Sequence, residues 1–283
     1  MKQIEVNEII SKHKLWLEGK EGGICADFSG TDLQNAEFID INLQGASFIG
    51  TDLQGVIFNN VNLQGSIFIG TDLRDTVISN TDLQGSIFTG VNLKGANFIN
   101  VNLKDAELKG SDFHKVNINN VDFRGADLQG ANFKDTHLHS INFNNVNLQG
   151  SIFTDANLND VKFIDVNLKG AKFMCANLNG VNFTRSNINN VDFRGANLLN
   201  ANFKNINLQG ANFIFLKLSV WNVYIHENTM QIGNWCYSHE EWKNFSDEEI
   251  QSMNRYALVF WQKYKPLILP IIDEVKAQIV KKT

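Results

Sequence analysis

Residues 51–70 read TDLQGVIFNNVNLQGSIFIG, and their spacing decides the architecture. Leu53, Phe58, Leu63 and Phe68 stand five apart, and Thr51, Val56, Val61 and Ser66 precede them by two. A period of five is neither the 2 of a pleated strand nor the 3.6 of an α-helix, so one small unit has been copied along the chain. Followed outward in both directions, Leu, Phe or Ile holds every fifth position from Phe28 to Leu218 without a slip. Residues two apart on extended backbone share a face. Each centre and the residue two before it therefore point to one interior, the residue between them points out, and the next two turn the chain. Four such sides close a square of twenty residues.

Glycine placement supports the turns. All seventeen Gly of the repeat fall two positions after a centre, as Gly45, Gly55, Gly65, Gly125 and Gly210 do. Asn or Asp fills sixteen more of the thirty-eight corners, leaving Lys115, Ser140, Cys175, Arg185 and Phe215. This residue set tolerates left-handed backbone in tight turns. Pro is absent from the stretch, as expected where N–H groups pair with neighbouring coils.

Centres twenty apart should stack in columns. Phe28, Phe48, Phe68 and Phe88 form one, and Phe38, Phe58 and Phe98, with Ile78 between, form the opposite one. The aromatic columns exchange near Leu103, Leu108 and Phe113. After that Phe113, Phe133, Phe153, Phe173, Phe193 and Phe213 face Phe123, Phe143, Phe163, Phe183 and Phe203. Interior volume is thereby kept constant, as a close-packed bore requires. The expectation is a solenoid of about ten coils, a rod of roughly 46 Å at about 4.8 Å per coil. Trp and Tyr are missing from it, since their N–H and O–H groups would lack partners in a narrow apolar bore.

These triplets, AEF, ANF, TDL and VNL among them, resemble the pentapeptide-repeat family, whose motif is a small residue, Asp or Asn, then Leu or Phe and two variable residues. The resemblance implies a right-handed quadrilateral β-helix. It also implies a protein-binding role: well-understood members mimic B-DNA in shape and acidity and bind DNA gyrase or related topoisomerases, often as dimers through a C-terminal helix. Some members carry loops that interrupt the coils; this chain has none. The tail is similar to segments of bacterial members.

Three segments are expected: a capping helix in residues 1–24, the β-helix over 25–218, and a small α+β module over 219–283. Gln3 to Glu18 places Ile4, Ile9, Ile10, Leu15, Trp16 and Leu17 among charged residues and stops at Gly19, a lid for the open first coil. Four of the five Trp and all four Tyr lie between Trp221 and Tyr264. There VWNVYIHENTMQIGNWCY reads as a hairpin turning near Asn228. Ser246 and Glu249 form a capping box for a helix from Asp247 to Tyr264, Pro266 should break it, and a last helix should run from Pro270 to Lys281, apolar at Ile271, Ile272, Val275 and Ile279.

A formal net charge of −5 in 283 residues argues neither for a nucleic-acid binder with a basic face nor for an acidic disordered tail. The charge is uneven. Residues 26–112 carry eleven acids against Arg74, Lys94, Lys104 and Lys109, whereas 113–218 carry seven acids against ten bases. Cys25, Cys175 and Cys236 are an odd set, and the first two lie too many coils apart for a disulfide. With no signal-like or membrane-spanning run, the reading is a cytoplasmic chain that touches neither membrane nor nucleic acid directly.

No catalytic arrangement and no cofactor site emerges from spacing, so an enzyme is not expected. His226, Cys236 and His239 offer three ligands for zinc but no evident fourth, and His137 and His139 flank Leu138 facing outward. Asp32, Asp52 and Asp72, with Asp82 on another side, form the candidate phosphate-mimicking strip; the blander account is that an acid or amide before the centre bonds nearby backbone. Ile49, Ile67, Ile69 and Ile87 share an outer face and form the candidate partner surface, opposite Ile39, Ile57, Val77 and Ile99. Met253, Leu258 and Trp261 are candidate contacts for a homodimer through the C-terminal helices. The expected function is a non-enzymatic interaction scaffold for a protein partner, with a DNA-mimicking regulator of gyrase or a related type II topoisomerase as the alternative.

Overall fold

A computed structural model describes residues 3–206, 213–218, 220–226 and 228–280. Gly210 lies outside these residues, as do the side chains of Ile4, Phe213, Phe215, Val275 and Ile279. Helix α1 (Gln3–Leu17) precedes a β-solenoid containing strands β1 (Glu37–Ile39), β2 (Ile57–Asn59), β3 (Val77–Ser79), β4 (Asn97–Asn102) and β5 (Asn117–Asp122). These five pair in parallel in chain order, each residue with the one twenty further on, as Phe58 pairs with Phe38 and Ile78. Bridges at the same twenty-residue offset continue the ladder from Asp27 to Asn202. The square predicted from the five-residue period is the observed path. About ten coils, however, overstates it. Only four coil-to-coil steps are continuous strand pairings, the last described bridge is Asn182 to Asn202, and by Phe213 the chain has turned into an antiparallel sheet.

The bore is solid. Thr51, Leu53, Val56, Phe58, Val61, Leu63, Ser66 and Phe68 are all buried, so centres and pre-centres point inward as expected. Stacked Phe rings repeat at 5.1, 4.9 and 4.4 Å along Phe28, Phe48, Phe68 and Phe88, with near-parallel planes. Rings of the opposite column meet them edge-on, as Phe38 meets Phe48 at 6.3 Å and 87°. That combination satisfies the ring quadrupoles better than face-to-face sandwiches throughout. Buried hydroxyls are absorbed by the coil below: Thr51 donates to the Phe28 carbonyl at 2.8 Å and Ser66 to that of Leu43 at 3.0 Å. Every corner from Gly30 to Asn205 holds a left-handed residue, including Lys115 (φ 59°), Ser140 (φ 58°) and Arg185 (φ 59°).

Both ends are closed. Helix α1 lays Val6 and His13 on the first coil, with Ile9 and Ile10 beside them. His13 Nδ1 accepts the Ala26 N–H at 3.0 Å, satisfying a donor that has no coil beneath it. The N-terminal lid is thus where it was expected, though its deepest contacts are Val6 and His13, not Trp16, which stays 43% exposed.

At the other end an antiparallel sheet is built from β6 (Phe213–Lys217), β7 (Asn222–His226), β8 (Thr229–Ile232) and β9 (Trp235–Ser238). The hairpin near Asn228 is present. Because β6 belongs to this sheet, the boundary expected after residue 218 falls too late: the five-residue spacing outlasts the coil. Gln231 closes the last coil, accepting the Leu198 N–H at 3.1 Å and donating to Asn197 Oδ1 at 3.1 Å and the Gly233 carbonyl at 2.8 Å. Tyr224 packs on Phe203 with centroids 6.1 Å apart, and its burial pushes the phenol up to about 12.

Helices α2 (His239–Asn244), α3 (Asp247–Met253) and α4 (Ala257–Val280) complete the module. The expected Asp247–Tyr264 helix is divided at Asn254, whose side chain accepts the Tyr256 N–H at 3.0 Å and opens α4. Pro266 does not break α4, which runs through Pro266 and Pro270. Both prolines lie on its exposed side, where water can take up the freed carbonyls, while Phe260, Trp261, Ile268 and Ile272 hold the other side in a second core. Among the described residues no helix is long and apolar enough to cross a membrane.

Candidate interaction surface

The outward residue of each five alternates between buried neighbours, so every side of the prism presents side chains in register at coil spacing. On one side Ser47, Ile67, Ile87 and Glu107 form a bridged column. Ile49 and Ile69 lie two residues further along the same side and are each 44% exposed. The four isoleucines therefore form one apolar strip. Polar groups bound it: Ser29 and Ser47 join hydroxyls at 2.8 Å below, and Glu107 stands above. On the opposite side Ile39 is equally exposed, but its column continues as Asn59 and Ser79 before Ile99.

Asp32, Asp52 and Asp72 do stack in one bridged column, and Asp82 lies in another, between Asn62 and Asn102. Their carboxylates are turned to local use. Asp32 and Asp52 accept the N–H groups of Gln34 and Gln54 at 3.0 and 3.1 Å. Gln34 Nε2 also donates to Asp52 at 2.6 Å. Arg74 grips Asp72 through Nε and a second nitrogen at 2.9 and 2.6 Å, and that hydrogen bonding holds the carboxyl below its ordinary range. Asp82 accepts from Gln64 at 2.6 Å and Asn102 at 2.9 Å. Every one of the four thus has a partner within the coil surface, and one is neutralised.

The C-terminal candidates are used inside the chain. Trp261 is buried against Trp242 with centroids 5.3 Å apart. Met253 and Leu258 are partly buried against the same core. Trp261 is thus committed to this core, whereas Met253 and Leu258 keep part of their surface open; among the described residues, α4 also exposes Val259 and Leu267, preceded by Tyr256. His226 and His239 lie within the module, His239 Nε2 at 3.1 Å from the Thr229 carbonyl, whereas Cys236 is at the surface. Burial holds His226 down at about 4, so it is neutral at physiological pH. His137 and His139 are exposed on either side of buried Leu138, as expected. No group of three His, Cys, Asp or Glu among the described residues is placed to hold a metal ion.

A four-sided parallel β-solenoid with a side-chain-filled bore and both ends closed defines a class of repeat proteins. A family model described as "Pentapeptide repeat region" matches residues 25–98, 41–117, 96–173 and 157–232. The chain belongs to the pentapeptide repeat family. Among solved structures it is similar to HetL, a pentapeptide repeat protein involved in heterocyst differentiation regulation from the cyanobacterium Nostoc sp. strain PCC 7120, with a TM-score of 0.50 and 20% identity over 68% of this chain and 93% of HetL. That likeness shows the fold. Trypsin-treated QnrB1, a plasmid-mediated fluoroquinolone resistance protein, matches with a TM-score of 0.29 and 21% identity over 62% of this chain and 86% of QnrB1. A pentapeptide repeat protein from the Arabidopsis thaliana thylakoid lumen shares 30% identity, with a TM-score of 0.20, over 38% of this chain and 62% of its own. A search of curated proteins finds no match.

Proposed function

We propose that the protein is a non-enzymatic binding scaffold whose early coils recognise another protein through the strip Ile49, Ile67, Ile69 and Ile87. The observation that carries this reading is the exposure of Ile49 and Ile69, 44% each, in register on a rigid backbone and bounded by polar groups. Such a patch is already ordered, so binding it costs little conformational entropy, and its removal from water favours association. Interiors of this kind leave no chamber along the described bore for a substrate, because centres and pre-centres fill it.

Quantitative affinity capture from a native lysate, with the full chain and an Ile49→Asp/Ile69→Asp variant of equal melting behaviour, tests the reading. At least one captured protein should fall by about tenfold or more, equivalent to ~1.4 kcal/mol. Identical captures would remove the strip from the function. The second reading, a DNA-mimicking regulator of a type II topoisomerase, is favoured by the acidic excess of residues 26–112 and weakened by the Arg74 clamp on Asp72. A supercoiling assay with no inhibition at large protein excess ends it.

A further inference from the structure

In four places a corner oxygen fills space that a glycine one coil on leaves empty. A Cβ on Gly55, Gly95, Gly125 or Gly180 would lie 2.4, 2.3, 2.2 or 2.2 Å from Oδ1 of Asn35, Asp75, Asp105 or Asp160. At Gly195 the neighbour is sulfur: the same construction meets Cys175 Sγ at 3.2 Å. Cys175 N–H donates to the Arg194 carbonyl at 2.9 Å, so its coil lies directly beneath Gly195. Its thiol therefore sits at an outer corner, one coil from the end that the C-terminal sheet covers.

That sheet meets the same end through one cross-strand row. Tyr224 pairs with Gln231 and Gln231 with Cys236, and directly paired residues project to the same face of a sheet. Tyr224 packs on Phe203 and Gln231 bonds Leu198 and Asn197. The row thus steps backward along the coil, from centre 203 to centre 198. Cys236 is the next residue of that row, and its thiol is close enough to Cys175 for their charges to act on each other. Both Cys175 and Cys236 are solvent-exposed.

We infer that Cys175 and Cys236 are a thiol pair that closes to an intramolecular disulfide under a peroxide, fastening the C-terminal module to the solenoid. One thiolate attacks a peroxide oxygen, the O–O bond breaks, and a sulfenic acid and water result. The second thiolate attacks that sulfur, the S–S bond forms, the S–O bond breaks and a second water leaves. Two electrons pass from the sulfurs to the peroxide. Desolvation by its neighbours holds the Cys236 thiol above its ordinary value, with the charges of Cys175 and Glu241 acting the same way against a hydrogen bond with Thr229. At rest Cys236 is therefore a thiol, and only its deprotonated fraction takes part in the attack. Cys25 stands apart, its thiol donating to the Gly45 carbonyl at 3.4 Å.

The test treats the full chain with stoichiometric hydrogen peroxide, alkylates the remaining thiols, and reads intact mass and tryptic peptides. The expected product has lost two hydrogens, contains a Cys175–Cys236 peptide, and leaves Cys25 alkylated. Cys25→Ser should behave alike, while Cys175→Ser and Cys236→Ser, confirmed folded by tryptophan emission, should give no such product. Alkylation of both Cys175 and Cys236 after treatment, their separate oxidation to sulfinic acids, or disulfides only between copies would overturn the inference.

Discussion

Phe153 shows what one position of the repeat does. It stacks on Phe133 and Phe173 at 5.0 and 4.8 Å and meets Phe143 and Phe163 edge-on at 6.2 and 5.8 Å, fully buried. Coils above and below are fixed by the backbone ladder, so a gap there cannot collapse. Phe153→Ala should cost roughly 3–5 kcal/mol, near the upper range for core truncations. Phe153→Leu should cost less, since Leu is the ordinary occupant of neighbouring centres. Denaturant unfolding of the two variants measures this, and a loss under about 1 kcal/mol for the Ala variant would mean a bore able to relax. The inward direction of such centres was legible in the sequence because period and corner chemistry agree at every copy. The carboxylates were legible only in part: the column of Asp32, Asp52 and Asp72 follows from the twenty-residue offset, but the Arg74 clamp depends on a rotamer that no spacing encodes.

The elements at the ends were harder to read than the coils. Helix α1 followed from its pattern and Gly19, whose left-handed turn (φ 63°) ends it. In the module, α4 runs through two prolines that intrinsic preference penalises by about 3 kcal/mol each. Burial of Phe260, Trp261, Ile268 and Ile272 outweighs them, a tertiary effect invisible locally. Gln231 gave no signal either, being one polar residue in an apolar strand until the coil's open N–H groups are placed against it. The module also carries a pH dependence. His226 is neutral and buried with its folded value at about 4, below the ordinary 6.5, so the unfolded state takes up a proton first as pH falls. Stability is therefore complete above about 6.5 and declines toward 4, by on the order of 3 kcal/mol. Trp221, Trp235, Trp242 and Trp261 all report on this module. Denaturant midpoints from tryptophan emission should fall across that window in the native chain and less so in a folded His226→Phe variant. Equal slopes in both would assign the acid sensitivity elsewhere.

At the scale of the whole molecule, repetition separates two roles that most proteins mix. Inward positions are constrained by one shared bore, whereas outward positions are free to vary, and the proposed recognition strip lies among them. The family and the square cross-section could be read from residues 51–70 alone. The length of the rod could not, because Phe213 and Leu218 keep the centre spacing after the chain has left the coil for β6. The same is true of the proposed pairing of Cys175 with Cys236, which rests on a strand register and not on any motif. What the outside does is most directly tested by hydroxyl-radical footprinting of the full chain with and without a partner it captures. The account predicts protection of Ile49 and Ile69 in the complex, with Ile39 on the opposite side labelled as in the free protein. Protection confined to the C-terminal module, with Ile49 and Ile69 labelled equally in both states, would contradict it.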